Sequence, residues 1–163
     1  MAPAEVVVVG VGNTLLADEG FGIYVVRELR RAGVPEGVEA IEAGVAGYSL
    51  LDLLPGASKA IFVDAVEMGM EPGRLARFTP QEVVSTGDGK AFSLHQVGLL
   101  EVLELARALG QGAETVIIGV QPERVAPGEG LSPVVQAKVQ DAVGMVRAEI
   151  EGYFARESSQ QPG

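Results

Sequence analysis

Residues 6–22 read VVVVGVGNTLLADEGFG, and this stretch decides the fold. Four consecutive valines predict a strand that is buried on both faces, because β-branched side chains suit a covered, pleated surface. Gly10 and Gly12 allow the backbone to turn tightly after that strand, and the acidic pair Asp18 and Glu19 follows where a helix is expected to begin. A buried parallel strand that leads into a loop and a helix start is where open α/β sheets place their chemistry.

Length and composition indicate one compact globular domain. The chain has 163 residues, of which 47% are hydrophobic, enough to bury a substantial core. We expect a single domain over residues 1–157 and a flexible C-terminal tail over residues 158–163. The net charge of −10 argues against nucleic acid and anionic membranes as partners, because both bind cationic surfaces. No apolar run approaches the roughly 18 residues of a membrane span, and no leader pattern is present, so we expect a cytoplasmic protein.

The chain contains no cysteine and a single histidine, His95. Disulfides, thiolate nucleophiles, zinc–thiolate sites and iron–sulfur ligation are therefore excluded. A metal site in this protein would consist of oxygen ligands and at most one imidazole.

Strands and helices alternate along the sequence. The predicted buried strands cover residues 5–11, 38–42, 59–65 and 114–120. The predicted helices cover residues 18–32, 48–54, 93–109 and the stretch that begins at residue 133, and three of them have the expected N-caps Asp18, Ser93 and Ser132. This alternation predicts an α/β fold of three layers, in which helices cover both faces of a mostly parallel sheet. Arg74–Thr79 alternates polar and apolar residues without a preceding helix, which predicts an antiparallel edge strand.

Polar side chains follow the carboxyl ends of the predicted parallel strands. Because parallel strands share a direction, these positions meet at one edge of the sheet. The positions are Asn13, Asp18, Glu19, Glu42, Asp64, Gln121 and Glu123. His95 is predicted at the start of the helix that leads back into the last strand. Several carboxylates and the imidazole are therefore expected to face one cleft.

Each of these residues also has a purely structural explanation. Asp18 and Glu19 suit a helix N-terminus, where an acidic side chain gains roughly 0.3–1 kcal/mol from the helix dipole. Glu42 would be a solvated acid at a strand end, and His95 would be a surface residue. For Asp64 the structural explanation is a loop cap. That explanation is weaker, because Asp64 closes a buried strand and must be hydrogen-bonded, paired or bound to a metal to offset its desolvation.

Two carboxylates and one neutral imidazole suit a borderline divalent metal such as nickel, zinc, manganese or iron. Other site classes fit less well. The Gly10-x-Gly12-x-x-Leu15 pattern lacks the third glycine of a dinucleotide-binding loop, and the acids that follow would repel a pyrophosphate. The sequence has no Gly-x-Ser-x-Gly elbow, no His-Glu-x-x-His helix and no Walker loop. A non-catalytic interaction domain, whose acidic cleft docks a basic peptide, remains open.

Several segments resemble, in order, the motifs of the nickel–iron hydrogenase maturation proteases. They read GVGNTLLADEGFG at residues 10–22, IFVDA at 61–65, SLHQVGL at 93–99, GVQPE at 119–123 and GLSP at 130–133. The resemblance implies a cytoplasmic endopeptidase, described as of the aspartic type, that removes a short C-terminal extension from the hydrogenase large-subunit precursor after nickel insertion. It also implies a mixed five-stranded sheet between helix layers, with its antiparallel strand at Arg74–Thr79.

The resemblance also assigns site residues. The family's metal-contacting positions fall on Glu19, Asp64 and His95, which would be both the metal ligands and the catalytic residues. The ion would be nickel carried by the precursor, and other divalent metals would occupy the same site in vitro. Glu42 and Asn13 are the expected substrate-binding residues, and Asn13 is also expected to hold its loop through the side-chain amide.

One segment departs from the family pattern. Many members carry Asp-Gly-Gly after the second strand, whereas this chain reads Glu42-Ala43-Gly44. The longer acid and the added methyl group at the cleft wall either change the substrate-recognising role of Glu42 or reflect specificity for a different hydrogenase. We expect a monomer whose partner is the large-subunit precursor. The alternative function is that of a non-catalytic chaperone that docks the C-terminal tail of the precursor.

Overall fold

The computed structural model describes residues 4–44, 56–85, 93–94 and 112–160. Its centre is a sheet formed by the apolar strands that the sequence predicted. The strands are β1 (Val6–Val11), β2 (Val38–Gly44), β3 (Lys59–Glu67), β4 (Leu75–Phe78), β5 (Ser93–Leu94) and β6 (Glu114–Val120).

The strands lie in the order β2-β1-β3-β6-β4. β1 pairs in parallel with β2 and β3, and β3 pairs in parallel with β6. β4 pairs antiparallel with β6 at the edge, as the polar–apolar alternation predicted. The mixed five-stranded sheet with one antiparallel strand is thereby confirmed. β5 adds a two-residue antiparallel pairing at the carboxyl end of β3, which the sequence did not predict.

Two of the helices in the described part of the chain cover one face of this sheet. The helical elements are a 3-10 turn (Ala17–Gly20), α1 (Phe21–Ala32), α2 (Pro80–Ser85), α3 (Pro133–Gln136) and α4 (Val139–Gln160). α1 and α4 share one apolar core with β1 and β3. The helix predicted over 48–54 lies outside the described residues, and so does all but the first two residues of the helix predicted over 93–109. None of the helices in the described ranges combines the length and apolar character needed to cross a lipid bilayer.

Successive side chains of β1 point to opposite faces of the sheet, and an apolar core covers each face. Val6 and Val8 pack with α1 and α4 on one face, and Val7 and Val9 join a second apolar core on the other. None of the four valines is more than 3% exposed. The four-valine run therefore forms the doubly covered strand that was predicted.

Two predicted helix starts are wrong. The first α-helix begins at Phe21, and Asp18 lies in the preceding 3-10 turn, so Asp18 does not cap the helix. Ser93 and Leu94 form β5, so no helix begins at Ser93. In both places the contact that decides the local structure comes from a distant part of the chain, which a capping pattern does not reveal.

The C-terminal helical region also differs in detail. Pro133 starts a helix as predicted, but that helix has only four residues, and Ser132 makes no capping hydrogen bond with its side chain. α4 then continues to Gln160, three residues into the segment expected to be a tail.

Gly22 allows α1 to approach the sheet closely. A Cβ atom at Gly22 would overlap the carbonyl oxygens of Val11 on β1 and Val63 on β3. Because glycine has no such atom, the start of the helix lies directly against the carboxyl ends of two strands. This approach places the 3-10 turn at the same edge of the sheet as the end of β3.

Candidate active site

The Asp64 carboxyl group lies near the carboxyl end of β3 and is fully buried. Its Oδ1 accepts a hydrogen bond of 2.8 Å from the backbone N–H of Ala65. Its Oδ2 has no hydrogen-bond partner among the residues that the structure describes. Burial raises the pKa of Asp64 well above its usual value, the Ala65 hydrogen bond opposes this, and the nearby charge of Glu19 raises the pKa further.

Glu19 lies in the 3-10 turn and is 9% exposed. Its backbone is held by its neighbours, since its carbonyl oxygen accepts the N–H of Asn13 (3.1 Å) and its own N–H donates to the carbonyl of Leu16 (3.2 Å). Gly12, with a φ of 145°, passes so close that a Cβ there would overlap the Glu19 carbonyl oxygen. The fold thus fixes Glu19 near enough to Asp64 for its charge to act on that carboxyl group.

His95 lies outside the described residues. The residue before it, Leu94, pairs with Val66 on β3, two residues beyond Asp64. Within the described ranges, no group of three Asp, Glu, His or Cys side chains is arranged to hold a metal ion. The predicted three-residue site of Glu19, Asp64 and His95 therefore stays a prediction, of which the structure brings the two acids together.

Asn13 and Glu42 line a common surface cleft. The cleft has a volume of about 500 Å³, and its described walls include Gly12, Asn13, Arg27, Glu42 and Gly44. The Asn13 side-chain oxygen accepts the backbone N–H of Leu15 at 2.9 Å, so the amide holds its loop as predicted. Gly12 connects this cleft to the Glu19 backbone, because it touches both.

Two arginines of α1 hold the carboxylate of Glu42. Arg27 donates to one oxygen from Nε (3.2 Å) and contacts it from Nη2 (3.1 Å), and Arg30 donates to the other from Nη1 (3.0 Å). Arg30 is itself fixed by a 2.8 Å hydrogen bond from Nε to the carbonyl of Ala40. Glu42 is thus a paired acid rather than a freely solvated one. These partners were not predicted, although two arginines three positions apart on α1 were a usable signal in the sequence.

Three other residues were also expected to face the cleft. Asp18 is fully buried and bonds the loop that follows β6. Gln121 is buried too, and its side-chain oxygen accepts the N–H of Met68 (2.7 Å) while its amide group donates to Glu67 (2.9 Å). Glu123 is exposed. Asp18 and Gln121 therefore hold loops at this edge of the sheet.

The fold and site together define a class of protein. A buried carboxyl group with a strongly shifted pKa, next to a second acid at the carboxyl edge of a parallel sheet, is typical of an α/β enzyme. A family model described as hydrogenase maturation protease (HycI) matches residues 23–149.

Known proteins support the same assignment. The hydrogenase expression/formation protein HupD of Bradyrhizobium diazoefficiens is 38% identical over 144 residues, which cover 86% of this chain and 75% of HupD. The hydrogenase 2 maturation protease of Escherichia coli is 35% identical over 147 residues, covering 88% of this chain and 89% of that protein. The structure of the hydrogenase maturating endopeptidase HybD from E. coli superimposes with a TM-score of 0.80 at 33% identity, covering 91% of this chain and 93% of HybD. The chain belongs to the hydrogenase maturation protease family, as its motifs predicted.

Proposed function

We propose that this endopeptidase removes the C-terminal extension from a nickel-loaded hydrogenase large-subunit precursor. The observation that carries the proposal is the Asp64 carboxyl group, which is fully buried beside Glu19 with one oxygen left without a partner in the described part of the chain. Leaving a buried polar atom unpaired costs about 1–3 kcal/mol. A fold that keeps such a group at its functional edge is best explained by a ligand that contacts it.

The side chains fit a divalent metal ion. We propose that Glu19 and Asp64 supply oxygen ligands and His95 supplies nitrogen, a donor set that suits nickel and other borderline ions. In this proposal the nickel belongs to the substrate. These residues would bind it before the peptide bond is cut, so that only a nickel-loaded precursor is processed. A divalent ion at such a site polarises a carbonyl group or activates water. The positive charge would also offset the burial of Asp64, because an opposite charge favours the ionised form of a carboxyl group.

The pairing of β5 with β3 supports the inclusion of His95. Leu94 lies opposite Val66, and Asp64 is two residues away on the same strand. His95 is the next residue in the sequence after Leu94, so the proposal rests on the pairing of its described neighbour. No other residue of the chain offers an imidazole or thiolate ligand.

The cleft between Asn13 and Glu42 is the proposed binding site for the precursor segment near the cut. It adjoins the Glu19 backbone through Gly12, so a peptide bound there would lead directly to the two acids. The Arg27 side chain on its wall is 52% exposed, and together with Arg30 it neutralises the longer acid found here. We further propose that the protein acts as a monomer in the cytoplasm, where it meets the precursor.

Mass spectrometry of the processed precursor tests this function. The purified protein is incubated with nickel-loaded and with nickel-free precursor, and we expect loss of the C-terminal peptide only in the nickel-loaded sample. The His95→Ala variant should leave that precursor uncut while keeping the thermal stability of the parent protein. A stable complex with the precursor and no change of mass would instead support the non-catalytic chaperone. Normal processing by His95→Ala would remove that residue from the site.

A further inference from the structure

One buried side chain fastens both ends of the loop between β6 and α3. Asp18 Oδ2 accepts the backbone N–H groups of Glu123 (2.9 Å) and Arg124 (2.8 Å) near the start of the loop. At its end, Ser132 donates from its backbone N–H to Oδ1 (2.7 Å) and from its hydroxyl to Oδ2 (2.8 Å). Asp18 is fully buried, and these four donors satisfy a side chain that was predicted to cap a helix.

The backbone around Asp18 is joined to the same loop. Its own N–H donates to the carbonyl of Arg124 (3.0 Å), and the N–H of Ala17 donates to the carbonyl of Gly128 (2.8 Å). Ala17 has a φ of 51°, and it is the one non-glycine residue with positive φ in the described ranges. A strained backbone of this kind persists only where its surroundings hold it in place. The loop and the 3-10 turn therefore form one hydrogen-bonded unit.

Glu19 follows Asp18 directly, and its backbone is held from the other side by Gly12 and Asn13. It thus lies between two restraints, the β1 loop and the unit fastened by Asp18. We propose that Asp18 is a positioning residue, which closes the β6–α3 loop onto the 3-10 turn and so fixes the Glu19 carboxylate beside Asp64. The inference rests on the proposed function only for the role of Glu19.

An asparagine cannot replace Asp18 in this position. Four donors surround the two carboxylate oxygens, so the NH₂ group of an amide would face at least one donor in either orientation. Such a contact leaves buried N–H groups unpaired and separates the loop from the turn. The Ser132→Ala variant is milder, because it removes one donor and leaves the carboxylate intact.

The experiment compares Asp18→Asn and Ser132→Ala with Val146→Ala, a core variant in α4 that destabilises the protein away from the site. For Asp18→Asn we expect kcat on the nickel-loaded precursor to fall about 100-fold, as for a misplaced catalytic group, while KM changes little. Ser132→Ala should lower kcat by about fivefold. Val146→Ala should lower Tm without lowering kcat.

Hydrogen exchange provides a readout that does not depend on cleavage. In Asp18→Asn the amides of Ala17, Glu19 and Arg124 should exchange at least roughly tenfold faster. In Val146→Ala the exchange of these amides should be accelerated no more than that of the β1 amides, because that variant changes only the global stability. If the parent protein does not cleave the precursor, the proposed function fails, but faster local exchange still supports the fastening by Asp18. Unchanged exchange, or an Asp18→Asn variant that loses only Tm and keeps kcat, overturns the inference. Should Asp18→Asn not fold, a Ser132→Ala variant with parental kcat and exchange overturns it equally.

Discussion

At the scale of the residue, the Asp64 carboxyl group occupies a position that weakens the fold. It is fully buried, one oxygen lacks a partner in the described structure, and burial together with the charge of Glu19 raises its pKa. In the unfolded chain this group loses its proton near pH 4, which is a lower pH than in the folded protein. The folded state then binds more protons than the unfolded state, so its stability falls as the pH rises from about 4 through the folded pKa.

The Asp64→Asn variant should therefore be more stable than the parent protein, although inactive. At pH 8 in the presence of EDTA we expect a gain of about 1–3 kcal/mol in the free energy of unfolding, because the amide keeps the shape of the side chain and carries no charge to desolvate. The gain should shrink towards pH 4. Urea denaturation at several pH values measures it, and Asp141→Asn, on an aspartate that is 67% exposed, is the matched control. A loss of stability at pH 8 would contradict this account.

The roles of the residues at the carboxyl edge of the sheet could be predicted from the sequence to different extents. Asp64 and Glu19 were predicted as site residues from their positions in the sequence, because the carboxyl ends of parallel strands meet at one edge of the sheet. The burial of Asp64 added to this prediction, because a buried acid requires a partner or a ligand. The role of Asp18 was not predicted, because its partners lie more than 100 positions away. Helix capping is predicted from the next few residues in the sequence. The hydrogen-bond donors that Asp18 contacts in the structure lie far away in the sequence, so the capping pattern did not predict them.

At the scale of the element, apolar runs predicted the main strands because hydrophobic burial decides them. The two-residue β5 carries no such pattern, and only its pairing with β3 defines it. α1 was predicted to begin three residues early, because Asp18 looked like a cap and the 3-10 turn has no sequence signature of its own. The position of α1 depends instead on Gly22, where the helix backbone approaches the strands so closely that a Cβ atom would not fit. A single glycine in the sequence does not reveal such an approach.

Two glycines in helices should respond oppositely to alanine. In Gly22→Ala the new methyl group would overlap the carbonyl oxygens of Val63 and Val11, so we expect a loss of at least about 3 kcal/mol, the upper end of overpacking costs. Gly144 lies on α4 with nothing near its missing Cβ, and Gly144→Ala should gain about 1 kcal/mol from helix propensity. Denaturant unfolding of both variants tests this. A Gly22→Ala protein as stable as Gly144→Ala would show that α1 does not need its close approach to the sheet.

At the scale of the whole molecule, charge is arranged differently at the two ends of the sheet. The carboxyl edge brings acids together beside the cleft. Near the amino ends of β3 and β6, fully buried Lys59 donates to Glu149 (2.8 Å) and to Glu114 (3.3 Å), and Arg77 also donates to Glu149. Burial acts to raise the pKa of Glu149, but the hydrogen bonds from Arg77 and Lys59 outweigh it, so that this pKa lies below its usual value.

Removing the charge should therefore stabilise the fold at Asp64 and destabilise it at Glu149. The two changes in the free energy of unfolding should be additive. A lowered pKa contributes stability above about pH 4.3, the unfolded value, and loses it as the pH falls through the folded pKa. We expect Glu149→Gln to cost about 2–3 kcal/mol at pH 7, since it leaves buried Lys59 with a weaker set of partners, and progressively less as the pH falls through the lowered pKa of the folded state. The exposed Glu151→Gln is its control.

Lys59 and Asp64 are five residues apart on β3, or about 17 Å at the rise of a strand. Sites at that separation without shared partners are independent, so the free-energy change of the Asp64→Asn/Glu149→Gln double variant should equal the sum of the single changes within about 0.5 kcal/mol. Urea denaturation of the four proteins at pH 7 in EDTA measures the sum. A larger coupling would mean that the stabilising and functional ends of the sheet are energetically linked. Additivity would mean that the amino end supports the fold while the carboxyl end is free to hold acids that destabilise it.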